Sequence, residues 1–268
     1  ILSATRISGQ LAIYGWTLPK EAPILPIGGM QNQFETEARR NEALGRQCIV
    51  CGALSADFFM RVDERRYERC RTCRAIFLDP GQRLSIEDER ARYRLHRNDP
   101  SDPKYRRFLS KLADPLLQRL PAQSKGLDYG CGSGPALASM LREAGHRVRL
   151  FDPLFFPDPE PLGDLYDFIV CAEVVEHFHR PAEELTRFDR MLRPGGWLGI
   201  MTCFQTDDDR FADWYYRRDP THVVFFREET LRWIARRFRW HCEIPVKDVA
   251  LMRKPFKTKT IDEDVRYA

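Results

Sequence analysis

At 268 residues, 43% of them hydrophobic and 12% aromatic, the chain can bury one sizeable core plus a small module, which excludes global disorder. Lys and Arg number 43 against 39 Asp and Glu, leaving a net charge of +4 that neither demands nor excludes nucleic acid. No apolar run approaches the ~20 residues of a membrane-spanning helix.

Residues 1–29 carry Pro19, Pro23, Pro26 and the Gly28-Gly29 pair, with no basic stretch leading into an apolar one, so no signal peptide is expected. The first methionine is Met30, and residues 1–29 are expected to be a poorly ordered or non-native extension. Two C-x-x-C pairs follow, Cys48 with Cys51 and Cys70 with Cys73. Each such turn can present two thiolates to one side of a metal, and two turns complete a closed tetrahedron. The enclosed residues 52–69 match the spacing of structural zinc sites, so these four cysteines are the candidate Zn2+ ligands, with a redox dithiol as the alternative. Residues 57–67 between the pairs are compatible with a small hairpin. Cys131, Cys171, Cys203 and Cys242 lie in segments that read as core or cofactor site. Reduced thiols in the cytosol explain this usage better than a disulfide framework.

The chain divides into an extension (1–47), a zinc-ribbon module (48–80), a charged helical linker (81–122) and an alternating strand–helix region (123–268). In the linker Tyr105, Phe108, Leu109, Leu112, Leu116, Leu117 and Leu120 fall near helical spacing, and Pro115 is expected to kink or divide that helix. The last region predicts a strand ending near Asp128, a helix over 135–144, strands over 147–151 and 166–172, a helix over 181–192 and a strand over 197–202. A short apolar run over 222–226, a helix near 227–237 and strands near 239–244 and 248–253 complete it. This is an α/β pattern, an open and mostly parallel sheet. Residues 152–165 contain Pro153, Pro157, Pro159 and Pro161 and are too short for a further strand with its crossovers. The sheet should therefore have about six strands.

Residues 128–134 read Asp-Tyr-Gly-Cys-Gly-Ser-Gly. Alternate glycines let a backbone bend sharply and lie against a ligand, and the following helix aims free N–H groups at it. The dinucleotide fingerprint G-x-G-x-x-G fails here, because the frame from Gly130 ends on Pro135 and that from Gly132 on Leu137. Asp152 follows the glycines by the ~20 residues at which an open α/β nucleotide site places a carboxylate on ribose hydroxyls. The plain alternative is an ordinary strand-to-helix turn with Asp152 capping a loop.

The D-x-G-x-G-x-G turn resembles motif I of the class I S-adenosylmethionine-dependent methyltransferases. Residues 166–177 resemble that family's motif IV, and residues 192–198 resemble the turn before its next strand; the likeness spans about 123–243. It implies a Rossmann-like sheet, S-adenosylmethionine as methyl donor, and a cofactor site from Asp128, Gly130, Gly132, Gly134, Asp152, Pro153, Ala172 and Glu173. Asp128 would support the glycine turn and the donor's amino group. A ribbon ahead of such a domain resembles arrangements in sugar-nucleotide C-methyltransferases and in some ribosomal RNA methyltransferases.

An acceptor hydroxyl, amide or acidic carbon needs a base. His177 and His222 are the catalytic candidates, the second within a D-P-T-H-V segment found in many small-molecule-type members of the class. Both also have a structural reading. Asp219 either orients His222 or shares a turn with Pro220 and Thr221. Phe211, Trp214, Tyr215 and Tyr216 could wall an acceptor pocket or simply pack, and Arg217 and Arg218 could bind an acidic acceptor or form a solvated turn. The expected partner is a small-molecule acceptor, a sugar-nucleotide or quinol-like compound methylated at oxygen or carbon. RNA is the first alternative, kept open by Arg61, Arg65, Arg66, Arg69, Arg71 and Arg74 in the ribbon. A non-catalytic binding module is the second.

Overall fold

A computed structural model describes residues 45–95 and 98–256; the expected extension over 1–29 lies outside them. The strands are β1 (Arg46–Gln47), β2 (Leu54–Val62), β3 (Arg65–Cys70), β4 (Ile76–Leu78), β5 (Lys125–Tyr129), β6 (Arg147–Phe151), β7 (Tyr166–Ala172), β8 (Leu192–Met201), β9 (Val224–Phe225), β10 (His241–Glu243) and β11 (Val249–Arg253). The helices are α1 (Ile86–Tyr93), α2 (Pro103–Leu117), α3 (Ala136–Glu143), α4 (Pro181–Met191) and α5 (Glu228–Phe238).

The larger sheet has six strands in the order β10-β11-β8-β7-β5-β6. The pairs β5–β6, β5–β7 and β7–β8 are parallel, while β11 joins β8 and β10 joins β11 antiparallel. Six is the expected number, and its cause lies where the prolines stand. Residues 152–165 form only an isolated bridge between Asp152 and Phe156 and a short 3-10 turn over Glu160–Gly163.

Alternation along β7 explains the layers, because successive side chains leave opposite faces of a strand. Ile169 and Cys171 pack with Leu185, Phe188 and Met191 of α4 and Leu231 and Ile234 of α5. Phe168 and Val170 pack with Leu109, Leu112 and Leu116 of α2 and Leu137 and Leu141 of α3. The sheet is covered on both faces, so its central strands read as continuous apolar runs. Pro115 neither divides nor interrupts α2. It lies in the last turn, where little helix remains to disrupt, and Leu112 and Leu116 hold both sides of it in the core. β8 begins earlier than expected, at Leu192. Its pairing with β7 shifts between Tyr166 and Phe168, which absorbs the Arg193–Gly196 stretch within the strand.

The ribbon is antiparallel. β2 and β3 form the expected hairpin, turned by Asp63 and Glu64 at positive φ (49° and 61°), the geometry a two-residue hairpin loop requires. One strand of this sheet comes from far along the chain: β9 pairs with β4, Ile76 opposite Phe225 and Phe77 opposite Val224. The apolar run after His222 therefore completes the ribbon. Tyr67, Ile76 and Leu78 close over Phe211, Tyr216, Val223 and Phe225 in a separate core.

Charge pairs lock this junction. The Asp208 carboxylate takes the guanidinium groups of both Arg69 and Arg227, and the Arg69 hydrogen bonds pull its pKa down to about 2. Arg217 is buried and donates to the Ala212 carbonyl and to Asp63 on the hairpin, both at 3.0 Å. Phe211 and Trp214 are part of the packing here rather than pocket walls, and Arg217 is a strut rather than a solvated turn.

Candidate active site

The site begins where β5 ends. Gly130 and Gly132 have φ of +76° and +65°, which side-chain-bearing residues rarely adopt. A Cβ on Gly130 would stand 2.6 Å from both Val174 methyl carbons. The Asp152 carboxylate, at the end of β6, braces the turn by accepting the Gly132 N–H at 3.0 Å. It also accepts Leu154 N–H at 2.8 Å and Phe155 N–H at 3.0 Å. Asp152 thus caps the loop that follows it, as its plain reading expects, and also braces the glycine turn, a role the motif resemblance assigns to Asp128. α3 has no side-chain cap of its own, and the Asp128 carboxylate accepts the Ala138 N–H at 3.1 Å instead.

These groups open into a cavity of about 380 Å³. Asp128, Gly130, Gly132, Asp152, Pro153, Ala172 and Glu173 all line it, as do His177 and His222. Gly134 does not. A Cβ there would lie 1.8 Å from the Asn98 carbonyl oxygen, so the third glycine makes room for the chain between α1 and α2. The charge balance in the cavity is acidic: Glu89, Asp128, Asp152, Glu173 and Glu176 face one arginine, Arg90. Burial pushes the Asp128 carboxyl up to about 7. Burial, reinforced by the Glu176 charge, lifts Glu173 to about 8. Glu173 holds φ at +54°, a strained conformation for a non-glycine residue, with its N–H bonded to the Met201 carbonyl at 2.8 Å.

At the far end His177 and His222 meet edge to face, ring centroids 4.7 Å apart. His177 Nδ1 lies 3.1 Å from the Thr221 carbonyl and His222 Nδ1 2.7 Å from the Tyr216 carbonyl. A carbonyl only accepts, so each Nδ1 carries the hydrogen and each neutral ring keeps its lone pair on Nε2. Burial lowers the His222 pKa to about 4, and the neighbouring His177 adds to this. Asp219 does not orient His222. Its carboxylate accepts from Thr221 N at 3.0 Å and Thr221 Oγ1 at 2.7 Å, so it builds the turn that places the histidine.

Sequence reasoning missed two groups of this site. Glu176 is fully buried and accepts from Tyr216 OH at 2.5 Å and Thr202 Oγ1 at 3.0 Å. Its position beside His177, past a strand end, was the available signal. The other is α1, which forms a wall: Glu89 meets His179 at 2.7 Å, and Tyr93 stands edge-on to His177 at 5.3 Å. No pattern announced it, because α1 is charged throughout and its one fully buried side chain is Glu89.

The four ribbon cysteines also converge. Cys48 Sγ and Cys73 Sγ are 3.6 Å apart, Cys51 Sγ and Cys70 Sγ 3.5 Å. A Zn–S bond of about 2.3 Å gives tetrahedron edges of about 3.8 Å, so the spacing fits a tetrathiolate site. The N–H groups of Val50 and Cys73 point at Cys48 and Cys70 sulfur at 3.4 Å, as second partners of metal-bound thiolates do.

A methyltransferase-domain family profile matches residues 101–241, more than half of the chain. The chain belongs to the methyltransferase-domain family. The motif I resemblance and the six-stranded sheet agree with that membership, and the class is that of the S-adenosylmethionine-dependent enzymes. The methyltransferase domain is also similar to the highly reducing polyketide synthase verA of Penicillium polonicum, 28% identical over 143 residues. That alignment covers 42% of this chain and spans 6% of the synthase's length. Among solved structures, an O-methyltransferase family protein from Burkholderia thailandensis aligns at 17% identity and a TM-score of 0.42, covering 63% of this chain and 64% of that one. A 1,6-didemethyltoxoflavin-N1-methyltransferase from the same organism, with bound S-adenosylhomocysteine, aligns at 19% and 0.40 over 75% and 99%. The complex of a Haloferax volcanii Trm112 methyltransferase activator with a methyltransferase aligns at 16% and 0.45 over 62% and 97%. Among the described residues no helix is long and apolar enough to cross a membrane.

Proposed function

We propose that this domain transfers a methyl group from S-adenosylmethionine to an oxygen or carbon centre of a small, quinol-like or sugar-nucleotide acceptor. One observation carries the reading: a single cavity runs from the carboxylate-lined glycine turn to the His177–His222 pair. S-adenosylmethionine supplies an electrophilic methyl group on a cationic sulfur. The chain's own part is to hold it and to exclude water. Asp152 keeps one acceptor site for a ribose hydroxyl, Asp128 and Glu173 offer carboxyl groups that a cationic ligand favours in their ionised form, and Gly130, Gly132, Pro153 and Ala172 give close backbone contact. Gly134 is assigned to the turn and not to ligand contact. His177 and His222 are the groups assigned to the acceptor.

The ribbon is proposed to hold one structural Zn2+ on Cys48, Cys51, Cys70 and Cys73, in a 48–80 module whose sheet also takes in Arg46–Gln47 and Val224–Phe225, ahead of the 81–122 linker and the 123–268 region. Eight unpaired cysteines favour a reducing compartment, the cytoplasm. The small-molecule reading is preferred over RNA because four of the six ribbon arginines are engaged. Arg61, Arg66, Arg69 and Arg71 pair with Glu64, Glu68, Asp208 and Asp57. An acidic cavity also opposes a phosphate backbone.

Calorimetric titration of zinc-replete protein with S-adenosylmethionine and S-adenosylhomocysteine tests the reading. Micromolar binding of both is expected, and binding of neither would overturn it. The same titration has an expected pH dependence. Below pH ~7 the buried Asp128 carboxyl is protonated, and binding a cationic donor then requires proton release. Affinity for the donor should rise with pH up to that point, by as much as about tenfold per unit, with Glu173 extending the rise toward pH ~8, and Asp128→Asn should remove the part that belongs to Asp128. A flat wild-type profile would remove Asp128 from the donor's cationic end.

A further inference from the structure

We propose that Glu176, His177 and His222 form a divalent cation site at the acceptor end of the cavity, separate from the ribbon cysteines. One donor atom from each of the three lies within 4.8 Å of the others, the scale of a shared metal ion. The hydrogen-bond pattern fits ligands. Each imidazole spends Nδ1 on a backbone carbonyl, which fixes the ring and leaves the Nε2 lone pair uncommitted; metal-binding histidines are held in this way. Glu176 uses one lone pair per oxygen for Tyr216 and Thr202 and keeps the others.

Charge gives the second, independent reason. Glu176 has 0% exposure, and its two hydrogen-bond donors are neutral hydroxyls. Among the described residues no Lys or Arg pairs with it, and its only charged-group contact is His177 Nε2 at 4.0 Å. Glu89 and Asp219 act together with Glu176 on the same Tyr93 hydroxyl, so the charge surrounding Glu176 is also negative. A buried carboxylate without a counter-charge is costly, so this end of the cavity is built to receive a cation. Three protein ligands leave coordination positions open, the arrangement of catalytic rather than structural sites. Mixed imidazole and carboxylate donors suit Mn2+, Fe2+ or Zn2+ rather than soft, all-thiolate metals.

This deepens the proposed function and rests on it for what the ion does. A quinol-like or other hydroxylated acceptor would place its oxygen on an open coordination position, where the ion lowers the hydroxyl pKa. The proton leaves to solvent, the oxygen forms its bond to the methyl carbon, and the carbon–sulfur bond breaks with its electron pair passing to sulfur. The histidines then act through the ion and not by taking the proton themselves.

The test uses the full chain carrying one zinc per chain by atomic absorption, which fills the ribbon and leaves the histidine site open, and titrates it with Mn2+, followed by electron paramagnetic resonance. One Mn2+ per chain should bind. Glu176→Gln, which preserves shape and one acceptor oxygen, and His177→Gln should each weaken that binding by at least about tenfold, the loss caused even by disturbing an outer partner of a metal site. Melting temperature and S-adenosylhomocysteine titration on the same samples check that the variants are folded. No Mn2+ binding at millimolar concentration, or binding untouched by both substitutions, would overturn the site. S-adenosylhomocysteine binding without Mn2+ binding sinks the cation site alone. Mn2+ binding without S-adenosylhomocysteine sinks the methyltransferase reading of the cavity while the cation site stands.

Discussion

Cys70→Ser should be purified without its full metal content and with the ribbon sheet unfolded, while the six-stranded sheet persists. Cys70 is fully buried at the end of β3, 3.5 Å from Cys51 sulfur, and its sulfur also lies 3.2 Å from the Ser55 hydroxyl. A structural zinc contributes roughly 10–16 kcal/mol of apparent folding free energy, and a module below about 40 residues rarely folds without such a staple. The effect should not stop at the ribbon. Because β9 completes that sheet two residues after His222, loss of the ribbon removes the partner that holds the acceptor end of the cavity. Asp128 and Asp152 sit on the other sheet, so S-adenosylhomocysteine binding should survive while methyl transfer is lost. Zinc content by atomic absorption and calorimetric binding read both halves; full metal content in Cys70→Ser would refute the four-cysteine site.

Asp152→Ala is the second large effect. Its carboxylate accepts three backbone N–H groups at 2.8–3.0 Å and is 8% exposed. Removing it leaves those donors without their partner and takes away the acceptor proposed for the ribose. The backbone takes three of its roughly four acceptor sites, so one hydrogen bond to the ligand is lost; at about 1.5–3 kcal/mol for a charged group this weakens binding by roughly 10- to 100-fold. The variant should also melt at lower temperature, because the Gly132 turn and the 153–155 loop lose their brace. The domain should still fold, since its core lies between the sheet and its helices. Asp152→Asn, which keeps one acceptor oxygen, should fall between the two. Unchanged affinity in Asp152→Ala would remove that residue from the cofactor site.

Much of this architecture was legible from local pattern. β6 lies at the expected 147–151, β7 lies where an apolar run over 166–172 placed it, and β5 runs into the glycine turn as its motif implied. The hairpin between the cysteine pairs is present, and the short proline-rich 152–165 segment yields six strands. These features depend on residues close in sequence, where periodicity, backbone freedom and chain length suffice to constrain the answer.

The parts that escaped depend on contacts between distant segments. A two-residue strand at Val224–Phe225 has no periodicity of its own, and its register is set by β4 alone. Gly134 is a glycine because Asn98 crosses it, which no motif states. Phe211 and Trp214 were open to a pocket-wall reading beside the commoner packing one until Tyr67 and Phe225 closed on them. Sequence alone therefore determined the α/β fold class, the candidate metal-binding cysteines and the family of the glycine turn. Only the tertiary structure decided that the ribbon is completed by the methyltransferase region, that α1 walls the cavity, and that a buried glutamate stands beside a pair of touching histidines. Those outcomes follow from how buried groups find partners and how sheet edges find strands, and such partners are chosen in space rather than along the chain.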